Sequence, residues 1–77
     1  MSNVSIRDVP FHVREDALFI EEHLGITWKS IQHTIFEGRV FYAFIGVGPN
    51  NEEVIYKLKY GANTYRTGVL FIGGKKI

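Results

Sequence analysis

Chemistry in this chain could arise at four places: its histidines, its adjacent carboxylates, its serines, and a run of lysines among tyrosines. His12, His23 and His33 could ligate a metal or carry a proton, but none is spaced His-x-x-x-His from another, and the chain has no cysteine to complete a ligand set. On helices, His23 and His33 read as surface residues. Glu21 and Glu22 are adjacent, so their carboxylates point apart and cannot converge on one substrate atom. Ser2, Ser5 and Ser30 are the only serines, and none lies in the Gly-x-Ser-x-Gly setting of a nucleophile elbow. Gly46-Val47-Gly48 runs into Pro49-Asn50 instead of a helix, which makes it a turn and not a phosphate-binding dinucleotide loop. These patterns imply a non-enzymatic protein with no cofactor and no metal.

The fourth place is Tyr56-Lys57-Leu58-Lys59-Tyr60 with Tyr65-Arg66. Aromatic rings beside cations suit stacked bases and phosphates. Two-residue alternation, however, puts Lys57 and Lys59 on the strand face opposite Tyr56 and Tyr60, so the tyrosines belong to the core and the lysines to solvent. The charge is divided along the chain. Residues 1–38 hold three basic and six acidic side chains, net −3, and residues 39–77 hold six basic and two acidic ones, net +4. A basic C-terminal surface of this kind could meet phosphate or an acidic partner.

These residues must be positioned by few elements. Seventy-seven residues are one domain, spanning 1–77, with a small core. The lack of cysteine fits a reducing compartment. No apolar run approaches the roughly 20 residues that span a bilayer, and no charged-then-apolar leader pattern opens the chain, so a cytoplasmic location without membrane contact is expected.

Asn3, Ser5 and Arg7 alternate with Val4 and Ile6, which predicts a short strand ending at Asp8-Val9-Pro10. Val13, Ala17, Ile20 and Leu24 then recur at helical steps, with Glu15 and Asp16 in the first turn. Leu18 and Phe19 fall off this stripe and need another surface to cover them. Gly25 ends the helix. Thr27 is placed to cap a second helix, in which Trp28, Ile31 and Ile35 repeat the spacing and which Gly38 closes. Three strands follow: Val40 to Val47, Val54 to Tyr60 and Tyr65 to Ile72. They are separated by turns at Gly48-Pro49-Asn50-Asn51 and Gly61-Ala62-Asn63-Thr64, and Gly73-Gly74-Lys75-Lys76 forms a frayed or partner-dependent tail. The expected fold is α+β: a short N-terminal strand, two short helices hinged at Gly25, and a three-stranded antiparallel meander. Val40–Val47 and Val69–Ile72 are apolar on both faces. More apolar sheet results than two short helices can shelter, which predicts association, most simply a twofold homodimer.

Ile6-Arg7-Asp8-Val9-Pro10, a helix, Leu24-Gly25-Ile26-Thr27 and a second helix together resemble the ribbon-helix-helix family of DNA-binding regulators over about residues 3–38. Val13, Ala17, Ile20, Leu24 and Ile31 lie where that family keeps its core. The resemblance implies an intertwined dimer whose paired N-terminal strands enter the major groove of double-stranded DNA. Asn3, Ser5 and Arg7 would then face base edges, and the amides near Thr27 would hold a phosphate. Leu24 to Val40 also resembles the second half of the helix-turn-helix of excisionase-type winged proteins, with Val40 to Tyr60 as the wing; there Lys29, Gln32 and His33 would face the groove. Under either resemblance Arg39, Lys57, Lys59 and Arg66 would be auxiliary phosphate contacts. The expected function is that of a small, dimeric, sequence-specific DNA-binding regulator. The alternative is a protein–protein interaction module, such as a small phage-type inhibitor or assembly factor.

Overall fold

A computed structural model describes the backbone of residues 2–60 and 66–77 and the side chains of residues 3–59 and 68–77. The turn expected at residues 61–64, and Tyr65, lie outside the described residues. In chain order the elements are β1 (Ser2–Asn3), a 3-10 turn (Ile6–Asp8), α1 (Phe11–Leu24), β2 (Thr27–Phe36), β3 (Arg39–Val47), β4 (Glu53–Tyr60), β5 (Arg66–Ile72) and β6 (Lys75–Lys76). The strands pair antiparallel in sequence order, β1 to β6, and α1 packs on one face of that meander.

α1 forms where the spacing predicts, and it buries Val13 and Ala17 with Ile20 packed beside them. It starts at Phe11, so Glu15 and Asp16 sit in its second turn, not its first. Gly25 closes it with φ +66°, and the Gly25 amide donates back to the Glu21 carbonyl. That left-handed turn is nearly free of steric cost only for glycine.

The second helix is not there. Residues 27–36 form β2, so the fold is one helix on an antiparallel sheet and not two helices beside three strands. The reason is a β-bulge. Trp28 pairs with Gly46 and Ser30 with Ile45, which makes Lys29 an extra residue. The bulge puts Trp28 and Ile31, three apart, on one face, and ordinary alternation adds Ile35 four residues later. A three-then-four spacing, the mark of a helix, is reproduced by a strand. The segment's β-branched content (Thr27, Ile31, Thr34, Ile35) favours the strand. Gly38 accordingly closes a two-residue hairpin: Glu37 at φ 53° and Gly38 at φ 74° supply the positive φ pair that matches strand twist.

Two further expectations are corrected. Only Ser2–Asn3 pairs as a strand, opposite His33 and Gln32. Ser5 then accepts a hydrogen bond from the Arg7 amide (3.3 Å) and starts the 3-10 turn. The tail is also paired. Gly73 and Gly74, at φ 60° and 84°, turn the chain so that Lys75 and Lys76 lie opposite Ile72 and Phe71.

The core lies between α1 and the sheet. Ile31, Phe44 and Tyr56 are aligned across β2, β3 and β4, with Tyr42 and Leu58 one step along. Trp28 leans on Phe44, with ring centroids 5.6 Å apart, and its indole Nε1 donates to the Ala17 carbonyl at 2.9 Å, tying β2 to the helix. Among the described residues no charged side chain is buried, and the buried side chains that carry a polar group are those of the core tyrosines Tyr42 and Tyr56.

Candidate functional site

Strand alternation and the cross-strand register sort every described side chain of β2–β5 onto one of two faces. Tyr42, Phe44, Val54, Tyr56 and Leu58 face the helix and are buried. The intervening residues form the other face, and among the described residues no element covers it. There Gln32, Ala43, Lys57 and Val69 stand in one cross-strand row, and Ser30, Ile45, Ile55 and Phe71 in the next. Phe41 is opposite Lys59, with Thr34 on its other side. The strands are thus apolar on both faces, as the doubled apolar patterning of β3 and β5 implies.

This uncovered face is concave. A cavity of about 410 Å³ is lined by Gln32, Thr34, Phe41, Ala43, Lys57, Lys59 and Val69 side chains, with backbone of Tyr42 and Leu58. That volume lies within the range of roughly 300–1,000 Å³ typical of ligand-holding clefts. The lysines stand in the middle of the apolar surface, on the fourth of the six strands. Lys57 Nζ lies 5.4 Å from the centre of the Phe71 ring, within reach of a cation–π attraction. Arg39 lies two residues before Phe41, and Lys76 is opposite Phe71, so cations also rim the face; Glu53 is the acidic residue on it.

The sequence-derived candidates separate into two sets. Arg39, Lys57 and Lys59 share the uncovered face. Asn3, Ser5, Arg7, Thr27 and Lys29 do not join them. Asn3 is on the edge strand, Ser5 caps the 3-10 turn that contains Arg7, and Lys29 is the bulge residue, beside Trp28 and Leu18 on the helix side. Thr27 begins a strand opposite Val47, at the end of β3 remote from Arg39, so it is not a helix cap with free amides. Asn3, Ser5 and Arg7 do not line one strand face, and no second helix presents Lys29, Gln32 and His33 to a groove: Gln32 is on the uncovered face, while the His33 ring lies 5.3 Å from that of Tyr42 on the other. Arg66 is in β5, and its side chain is outside the described residues.

Phe41, Val69 and Phe71 are the site residues that single-strand reasoning misses. Tyr56, adjacent to Lys57 in sequence, does point away, into the core, and the rings that accompany the lysines come from β3 and β5. Only the register between strands reveals them. The signal available in the sequence is the two-sided apolar character of 40–47 and 69–72.

The outer side of α1 carries a second exposed apolar surface. Phe11 and Phe19 are each 61 % exposed and Leu18 is 47 % exposed, with Glu15 and Glu22 exposed between them. His23 stacks on Phe19 at a centroid distance of 3.9 Å. Among the described residues no three His, Cys, Asp or Glu side chains are grouped to hold a metal ion, and no helix is long and apolar enough to cross a membrane. No protein-family model, curated protein or solved structure matches the chain.

Proposed function

We propose that this chain acts by binding and not by catalysis, that the uncovered face of its meander is the binding surface, and that the partner is a protein segment whose apolar side chains are flanked by carboxylates. The observation that carries this reading is the placement of Lys57 and Lys59 at the centre of an apolar, concave face. Covering Phe41, Ala43, Ile45, Ile55, Val69 and Phe71 supplies the driving force, at roughly 25 cal/mol for each Å² removed from water. The same step desolvates the two ammonium groups, which is costly unless an anion pairs with them. An apolar partner without acid leaves them stranded, and a purely acidic one leaves the apolar surface wet. Apolar and acidic together satisfies both.

Nucleic-acid binding, the regulator reading, keeps one observation in its favour: Arg39, Lys57 and Lys59 share their face with Phe41 and Phe71, so cations and rings for stacking lie together. Double-stranded DNA offers no exposed base planes to such a face, and the four described cations on it (Arg39, Lys57, Lys59 and Lys76) give at most a weak, strongly salt-dependent affinity.

Titration of the isotope-labelled chain, followed by NMR of its backbone amides, separates the two. An amphipathic peptide built of leucine and glutamate is expected to shift amides of β3, β4 and β5 and to leave those of α1 in place. Duplex DNA and oligothymidylate are expected to bind at least tenfold more weakly, with an affinity that vanishes as salt is raised. If no shift at the sheet occurs with any of the three probes, the face is not a binding surface. If DNA binds more tightly than the peptide, the regulator reading replaces this one.

A further inference from the structure

We infer that the partner for the uncovered sheet face is a second copy of the chain, presenting the outer side of its α1. The inference rests on the reading of that face as a binding surface and adds the occupant. It comes from two surfaces that the described residues leave uncovered: the helix stripe, which is exposed, and the sheet face, whose Phe41, Ile45, Ile55, Val69 and Phe71 are half-buried. On α1, Phe11, Glu15, Leu18, Phe19 and Glu22 recur at steps of four, three, one and three residues and so fall on one side of the helix, opposite the buried Val13 and Ala17. This stripe is apolar with Glu15 and Glu22 along it, and at its N-terminal end the Arg14 guanidinium lies over the Phe11 ring, 5.9 Å from its centre. The sheet face is apolar with Lys57 and Lys59 in its centre and Arg39 and Lys76 at its rim. Apolar surface meets apolar surface, and Glu15 and Glu22 of the stripe are opposite in sign to Lys57 and Lys59 of the face.

The dimensions agree. Fourteen residues of α1 give a helix about 21 Å long, and the nine residues of β3 run about 30 Å. Layering agrees as well. One side of α1 already covers one face of the sheet, and the neighbour's α1 would cover the other, giving the sheet a helical layer on each side. Twofold pairing of the open faces does worse. It would lay the central lysines of two copies into one interface whose acidic group, among the described residues, is Glu53 near the sheet end, and burying ammonium groups without a paired anion is strongly unfavourable.

The stripe and the sheet face lie on opposite sides of the molecule. A helix-on-sheet contact is therefore head-to-tail, and it leaves one free surface of each kind at the two ends of any open assembly. Such a contact does not close in pairs: it closes only as a ring of three or more copies, or else assembly continues with concentration.

Sedimentation velocity on the full chain and two variants tests this. Phe19→Glu blocks the helix stripe and Lys57→Glu blocks the sheet face; both sites are exposed, and circular dichroism checks that the fold is kept. Between micromolar and millimolar concentration the unsubstituted chain is expected to grow past two copies. Each variant alone is expected to stay a single chain, with self-affinity reduced at least tenfold. An equimolar mixture of the two is expected to form a species of two chains and stop, because one intact stripe meets one intact face. An unsubstituted chain that remains single at millimolar concentration overturns the inference. So does one that halts at two copies while the mixed variants fail to pair, which marks a twofold interface. Phe19→Glu keeps its sheet face, so the leucine–glutamate peptide still binds it if only the choice of occupant is wrong, and does not if the binding face itself is wrong.

Discussion

Replacing Phe44 with aspartate leaves the chain without its fold at 25 °C. Phe44 is fully buried at the middle of β3, between Trp28 and Tyr56, whose ring centroids lie 5.6 and 6.2 Å away. Removing a buried phenylalanine ring costs about 3–5 kcal/mol by itself. Aspartate adds a carboxylate to a core in which no described buried side chain is charged, so no cation is at hand to pair with it. A domain of 77 residues has roughly 4–12 kcal/mol of stability in total, and the combined loss consumes most or all of it. Far-ultraviolet circular dichroism is expected to show the loss of sheet and helix together. Phe44→Leu, which keeps the site apolar, is expected to stay folded with a lowered Tm. A Phe44→Asp chain with an unaltered spectrum and melting curve would show that Phe44 is not at the centre of the core.

Gly46→Val comes next in size. A Cβ built on Gly46 would strike the Thr27 carbonyl oxygen and lie 2.9 Å from Cε3 of the Trp28 indole. The Thr27 contact is backbone, so no rotamer change relieves it. Either β2 and β3 part at the bulge, or Trp28 leaves Phe44 and gives up its hydrogen bond to the Ala17 carbonyl. Overpacking of this kind costs about 3 kcal/mol, which lowers the Tm of a domain this size by roughly 10–20 °C. A shift of only a few degrees would mean that the hairpin accommodates the side chain and that the close seat of Trp28 against β3 is not needed.

Trp28 and Gly46 also show why part of the fold was legible in the sequence and part was not. α1 is read directly, because Val13, Ala17, Ile20 and Leu24 keep helical steps without interruption and Gly25 ends them with a conformation that glycine favours. β3 and β4 are read from alternation and from the Gly48–Asn51 turn, where the Asn51 amide donates to the Gly48 carbonyl. β2 is misread because a bulge at Lys29 imposes a three-residue step on a strand, and the periodicity alone cannot distinguish that from a helix turn. The β-branched residues of 26–35 carry the opposing signal. The N-terminal segment is misread because Ser5 satisfies a local amide and bends the chain where alternation suggests that it stays extended.

The site was legible in the same partial way. Lys57 and Lys59 fall on the side opposite Tyr56 by alternation alone, as they do in the structure. The identity of their neighbours, Phe41 from β3 and Phe71 from β5, depends on which residues of separate strands stand opposite one another. Leu18 and Phe19 are left over from the helix stripe in the sequence and remain exposed in the structure. The residues that a single copy does not shelter are thus visible in the pattern, whereas their pairing into a face is not.

Oxidative footprinting of the aromatic side chains, carried out at micromolar and at millimolar concentration, tests the central claim most directly. Phe44 serves as the control, buried and unlabelled in both samples while the fold holds. If the sheet face is covered by association, Phe41 and Phe71 are labelled in the dilute sample and protected in the concentrated one, and Phe19 on α1 is protected along with them. Equal labelling of Phe41 and Phe71 at both concentrations would contradict the account.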